Sequence, residues 1–283
     1  MNLPPIVDAH VHLWDPARID YPWLAGVPAL NQAFLPADFS RAAGTTTVEK
    51  IIFVEAGCAA GLGLTEAEWI SELARQEPRI KGIVAHAPLE KGRDARAGLA
   101  ALAALPLVKG VRRLLQSESD VDFCLRPNFL AGVELLEEFG FSLDLCLRHE
   151  QLPGATELVR QFPRVTFVLD HLGKPDIRGR RPEPWSKDLQ ALAARPNIVC
   201  KISGLATEAD HVHWQPADLE FYLARALELF GGERILFGGD WPVATLATSY
   251  ERWVQTVRKA FSSTGEAGLA RLFRTNAERI YHV

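Results

Sequence analysis

His10 and His12 stand two residues apart inside the apolar run Ile6-Val7-Asp8-Ala9-His10-Val11-His12-Leu13-Trp14. In an extended strand alternate side chains share a face, which predicts that Asp8, His10 and His12 point the same way. Two imidazoles at that spacing sit roughly 6–7 Å apart at the backbone, close enough to converge on one metal ion. Polar groups on the inner face of a buried strand make physical sense where that strand ends at a catalytic centre. An H-x-H pair alone is a weak signal, and its meaning depends on the elements that position it.

Those elements recur with a regular rhythm. Eight short apolar, β-branched runs occupy residues 6–14, 48–57, 80–89, 108–116, 141–147, 165–173, 198–205 and 235–243. Most are continuously apolar, as expected for parallel strands covered on both faces. Amphipathic segments of helical period lie between them, at 65–76, 95–104, 127–138, 153–161, 187–194 and 217–230. Strand starts fall roughly 24–42 residues apart, the length of one βα unit. Eight such units in 283 residues predict an α/β fold, a (β/α)₈ TIM barrel forming one domain over 1–283. An open doubly wound sheet is the alternative. It usually carries a Gly-rich phosphate loop after its first strand, where this chain has His-Val-His-Leu-Trp. Two irregular stretches, 15–36 (with Tyr21 and Trp23) and 174–185 (rich in Arg and Pro), are expected as long loops at the barrel mouth.

Active sites of such barrels sit at the C-terminal strand ends. Those ends offer His10, His12 and Trp14, then Glu55, His86, Arg112-Arg113, Arg148-His149, Asp170-His171, Lys201 with Ser203, and finally Gly238-Gly239-Asp240-Trp241. Ionisable groups at every strand end are more than a structural barrel needs, and the clustering argues for an enzyme. No G-x-S-x-G nucleophile motif is present.

Three motifs in barrel order, Val-Asp-Ala-His-Val-His-Leu-Trp, Asp170-His171-Leu172-Gly173-Lys174-Pro175 and Phe237-Gly238-Gly239-Asp240-Trp241-Pro242, resemble the amidohydrolase superfamily. With Gly110-Val111-Arg112 and Lys201-Ile202-Ser203-Gly204-Leu205, the resemblance is to its sugar-lactonase branch and spans the whole chain. It implies that His10 and His12 are the strand-1 metal ligands and that His171 ligates metal or polarises the substrate carbonyl. By the same resemblance Asp240 touches the metal and takes the proton of the attacking water. Many superfamily members bridge two metals with a carboxylated strand-4 lysine; Val111-Arg112-Arg113 stands there instead, so at most one divalent ion, zinc, is expected, and the resemblance leaves room for a lactonase that dispenses with it.

The chemistry is consistent with that carry-over. Lactone hydrolysis needs an activated water, a stabilised oxyanion and a proton for the leaving alkoxide. Two histidines and a carboxylate with an open position suit a zinc-type ion that acidifies water, and Asp240 can accept and return the proton. His171, Arg112 and Lys201 are candidates for the oxyanion. Glu55 and Lys201 suit sugar hydroxyls, Trp14 and Trp241 suit ring faces, and His149 is a further candidate contact. Two other readings use the same frame: a decarboxylase of a small aromatic acid, and a hydrolase of a dicarboxylated lactone served by Arg112 or Arg113 and Arg148.

Composition excludes several other classes. Apolar residues make up 48 % and charged residues 23 %, an ordinary globular balance, and a net charge of −4 gives no basic surface for nucleic acid or an anionic membrane. No run is long enough to span a membrane, and Met-Asn-Leu-Pro-Pro at the start does not read as a signal peptide. Cys58, Cys124, Cys146 and Cys200 form no C-x-x-C pair, which fits thiols in a reducing cytoplasm. The expected partner is a small-molecule substrate; the sequence makes no statement about oligomeric state.

Overall fold

A computed structural model describes residues 4–283; residues 1–3, part of the segment read above as lacking a signal peptide, lie outside the described residues. Eight parallel strands run in sequential order: β1 (Ile6–Val11), β2 (Val48–Val54), β3 (Ile80–His86), β4 (Val108–Arg112), β5 (Ser142–Leu145), β6 (Phe167–Leu169), β7 (Ile198–Ile202) and β8 (Ile235–Phe237). The expected (β/α)₈ barrel is therefore the fold. Each strand occupies the front of its apolar run, and the remainder of each run turns outward as the loop that carries the chemistry. Among the described residues no helix is long and apolar enough to cross a membrane.

The barrel closes between β8 and β1 just beyond the regular ladder. Asp240 N–H donates to the His10 carbonyl and His12 N–H to the Trp241 carbonyl, each at 2.8 Å. Inside, Val7, Ala9, Ile52, Val54, Val84, Val168, Val199 and Leu236 fill the lumen. Outside, Ile6, Val11, Leu13 and their counterparts pack on the helix layer. That layer includes helices in the six segments marked by helical period, plus Pro36–Ala43 and Tyr250–Ala260.

One expectation about β1 is corrected here. Asp8 does not share a face with His10 and His12, because the pairing of β1 with β2 shifts register between Asp8 and Val11. This bulge re-aims the side chains: the histidines turn into the lumen, while Asp8 faces the helix layer. There its carboxylate accepts from His10 N–H (3.0 Å), Gly239 N–H (2.8 Å) and the Tyr250 hydroxyl (2.8 Å), stapling β1 to β8. A Cβ at Gly239 would lie 2.4 Å from the Asp8 carboxylate, so glycine is required at that contact.

Candidate active site

At the C-terminal mouth a cavity of about 290 Å³ is lined by His12, His171 and Asp240 together with Trp14, Trp23, Arg112, Gln116, Lys174 and Thr207. A larger hollow of about 440 Å³ opens at the opposite end, beside Lys109, Ser142 and Thr166. It faces the N-terminal strand ends, where barrels do not place chemistry, and no group of metal-competent side chains borders it among the described residues.

His12 lies on the floor of the mouth cavity, with His10 fully buried directly behind it. His10 Nε2 and His12 Nε2 face each other at 3.2 Å, and Asp240 Oδ1 lies 3.4 Å from His12 Nε2 and 3.7 Å from His10 Nε2. Ligands at roughly 2.0–2.2 Å around a tetrahedral ion stand about 3.3–3.6 Å apart, and separations of 3.2, 3.4 and 3.7 Å come within about 0.1 Å of that range, as one shared cation would need. The outer nitrogens are also committed in the way metal-binding histidines require. His12 Nδ1 bonds the Val54 carbonyl at 2.8 Å, and His10 Nδ1 lies 3.2 Å from Asp170 Oδ1. Each contact fixes the ring and turns Nε2 toward Asp240, with Arg112 Nη1 also 3.4 Å from His10 Nε2. Burial holds His10 well below the usual histidine range, offset in part by Asp170, so it stays neutral and competent as a ligand.

Beneath the pair lies a buried ionic network. Arg112 donates to Glu55 Oε1 (2.7 Å), the Glu55 carbonyl (2.6 Å) and Asp170 Oδ2 (3.0 Å). Lys201 pairs with Asp144 (2.5 Å) and Asp170 (3.1 Å) and approaches His10 Nδ1 at 3.2 Å. Glu55, Asp144, Asp170 and Asp240 face two cations, which leaves two negative charges around the histidines. Buried charge of that sign calls for compensation, which a divalent cation held by His10, His12 and Asp240 would supply. Burial opposes ionisation of Asp240, but His171, His12 and His10 outweigh it and hold the carboxyl well below its ordinary value. Asp240 is therefore a carboxylate at neutral pH.

His171 arrives by unusual backbone. His171, Leu172, Gly173 and Lys174 all have positive φ (52°, 53°, 69° and 49°), and Lys174 N–H donates back to the His171 carbonyl at 2.9 Å. This is one turn of left-handed helix, which costs roughly 1–2 kcal/mol for each non-glycine residue. Packing holds it: Leu172 is fully buried and its carbonyl accepts the Trp185 indole N–H at 2.7 Å. The turn aims both His171 and Lys174 into the cavity. His171 Nδ1 bonds Ser203 Oγ at 2.9 Å, and burial lowers its pKa to about 4.

A profile of the amidohydrolase family matches residues 7–283. The chain belongs to that family. This amidohydrolase is 30 % identical over 283 residues to an L-fucono-1,5-lactonase of Burkholderia ambifaria, covering 98 % of this chain and 95 % of that one. It is 33 % identical over 287 residues to an L-fucono-1,5-lactonase of Burkholderia multivorans, covering 97 % and 95 %. A crystal structure of a B. multivorans amidohydrolase with bound zinc superposes with a TM-score of 0.86 at 31 % identity, covering 99 % of this chain and all of that one.

The structure gathers His10, His12, His171, Asp240, Arg112 and Trp14 as the sequence predicted, but four proposed substrate contacts lie elsewhere. Lys201 is fully buried behind His10, because its ammonium is drawn to Asp144 and Asp170. Glu55 is likewise enclosed, held by Arg112 and the Gly57 N–H. Trp241 packs outward on Phe34 and Phe39, with centroids 5.5 and 5.3 Å away, since its backbone belongs to the seam. His149 sits past the end of β5 against Glu150 and does not line the cavity. Arg112 borders the cavity, but its donors point into the network. Trp23 and Lys174 belong to the wall without having been singled out. Both stretches read as mouth loops contribute, since Trp23 lies in the first and Lys174 opens the second. Asp144 was also missed; a lone Asp in the apolar run Leu143-Asp144-Leu145-Cys146 was the available signal that Lys201 has a buried partner.

Proposed function

We propose that this amidohydrolase opens neutral sugar-acid lactones (aldonolactones such as L-fuconolactone or L-rhamnonolactone) to the free hydroxy acid, in the carbohydrate metabolism of a reducing cytoplasm. The single observation carrying the reading is the convergence of His12, His171 and Asp240, backed by the buried His10, on the floor of a cavity whose walls suit a small polyhydroxylated ring. Trp14 and Trp23 meet edge to face with centroids 5.4 Å apart and form an apolar wall, while Gln116, Lys174 and Thr207 supply polar groups. The volume lies just under the roughly 300–1,000 Å³ typical of small-molecule pockets. The relatives named above act on a lactone of this class.

In this reading Asp240 takes the proton of the attacking water and returns it to the ring oxygen as the acyl bond breaks. We assign Nδ1 of His171 as the acceptor of the Ser203 hydroxyl proton. Nε2–H then points at the lactone carbonyl oxygen and stabilises the charge that develops there. A carboxylate as acidic as Asp240 is a feeble base toward ordinary water. His10, His12 and Asp240 would hold one divalent ion, zinc by donor type, and bound there it supplies Lewis acidity toward water and carbonyl oxygen. All four cysteines are free, which supports the cytoplasmic placement.

The other two readings need guanidinium groups facing the cavity. Arg112 is engaged by Glu55 and Asp170, Arg113 turns away to Glu90 and Glu118, and Arg148 is exposed against the Gln116 carbonyl. Proton release from a panel of aldono-1,5- and aldono-1,4-lactones tests the proposal. Release well above the spontaneous rate is expected for at least one; no acceleration with any of them would overturn it.

A further inference from the structure

The polar wall of the cavity holds a donor, Lys174, and an acceptor, Thr207, linked through the pairing of Lys174 with Glu208, the chain neighbour of Thr207, and neither belongs to the hydrolytic machinery. Lys174 Nζ is paired with Glu208 Oε1 at 3.2 Å, its one acceptor among the described residues. An ammonium has three N–H donors, so two remain for the cavity that Lys174 lines. Arg112, the other cation on that lining, has its donors directed into the buried network. Thr207 precedes Glu208 and also lines the cavity. Its hydroxyl donates to the Gly204 carbonyl at 2.7 Å, which turns its lone pairs outward as an acceptor.

We propose that Lys174 and Thr207 form a hydroxyl-recognition site that sets specificity for a ring-hydroxylated lactone. A hydroxyl both accepts and donates, so it satisfies both partners at once. It takes an N–H from Lys174 and gives its own proton to Thr207 Oγ1. A carboxylate has no proton for Thr207, and an unsubstituted ring has nothing for either. The left-handed turn is what brings this about: it presents His171 to the carbonyl and Lys174, three residues on, to a ring substituent. Glu208 and the Arg178 N–H, which donates to the Glu208 carbonyl at 3.0 Å, brace the two segments together. The inference rests on the sugar-lactone reading and specifies how that substrate class is recognised.

The test compares kcat/KM on an aldono-1,5-lactone with that on δ-valerolactone, which has the same six-membered ring without hydroxyls. Lys174→Met and Thr207→Val are the variants, the second being close in shape to the natural side chain and independent of the turn. Losing the bond to the Lys174 ammonium lowers the aldonolactone value about 10- to 100-fold, and Thr207→Val, which leaves the substrate hydroxyl proton unpaired, lowers it about 5- to 100-fold, most of it in KM. The valerolactone value should stay within about threefold, since a substrate lacking the hydroxyl never made the bond. Equal losses on both lactones, or variants that keep the wild-type preference, would overturn the hydroxyl site while leaving the hydrolase reading intact. A wild-type enzyme that opens both lactones without preferring the hydroxylated ring would overturn the hydroxyl site and the sugar-lactone reading together. Should Lys174→Met fail to fold, Thr207→Val alone decides.

Discussion

The backbone N–H of Asp240 donates to the carbonyl of His10 at 2.8 Å, so the bond that closes the barrel also sets the carboxylate against the histidine pair. Asp8, one strand turn earlier, clamps the same seam through Gly239. The site is thus built on the hydrogen-bonded join that closes the barrel. The three donor atoms need no loop movement to converge.

Asp240→Asn should therefore abolish turnover without disturbing the fold. The amide keeps the backbone seam and the side-chain shape but cannot take a proton from water. A fall in kcat of at least about a hundredfold is expected, the low end for removing a general base, with a circular dichroism spectrum and melting temperature close to wild type. Near wild-type turnover would remove Asp240 from the mechanism.

Metal content should reach at most one equivalent per chain. His10, Asp170 and His171 form a second cluster of donor atoms. It shares His10 with the first, however, and Asp170 already faces the charges of Lys201 and Arg112. A second cation there would meet two resident ones. Elemental analysis after gel filtration checks this, and two tightly held equivalents would contradict it.

Lys201 supports the site from beneath. Lys201→Met leaves Asp144 and Asp170 short of a buried counter-charge, a change that costs about 3–5 kcal/mol. Urea denaturation should show a loss of that order. A substrate-contact role would instead leave stability unchanged and raise KM.

Glu66 should make stability depend on pH. It is fully buried beside the Glu55 charge and accepts from the Ala56 N–H at 3.2 Å. Burial, then the charge of Glu55, push its pKa up to about 8. The folded state binds this proton more tightly than the unfolded chain, so the contribution is fully present below the ordinary carboxyl value of 4.5 and is lost as pH rises through about 8. The melting temperature of wild type relative to Glu66→Gln should therefore fall between pH 6 and 9. A constant difference across that window would show that Glu66 is ionised throughout.

Much of this was legible in the sequence because the physics is local. Continuous apolar runs and intervening helical periods mark a parallel barrel, and polar residues at strand ends mark its working face. What failed depended on information that periodicity does not carry. The bulge after Asp8 broke the alternation rule at the decisive strand. Lys201 and Glu55 sit at strand ends as expected, yet strong buried partners on neighbouring strands draw them away from the cavity. Trp241 shares a motif with Asp240 but points the other way, as consecutive residues at a strand end do. Lys174 reaches the cavity through four successive positive φ angles, a conformation that single-residue preferences do not anticipate in three non-glycine residues.

The most direct test of the account is kcat/KM for a neutral aldono-1,4- or 1,5-lactone against that for a dicarboxylated pyrone lactone, each at low and high salt. With Arg112 and Arg113 engaged by carboxylates and Arg148 exposed outside the cavity lining, the aldonolactone should be preferred. Its rate should also change little with ionic strength, because a neutral ligand gains little from long-range steering. Preference for the pyrone, with a rate that falls as salt rises, would contradict the account and reassign the substrate to an anionic lactone.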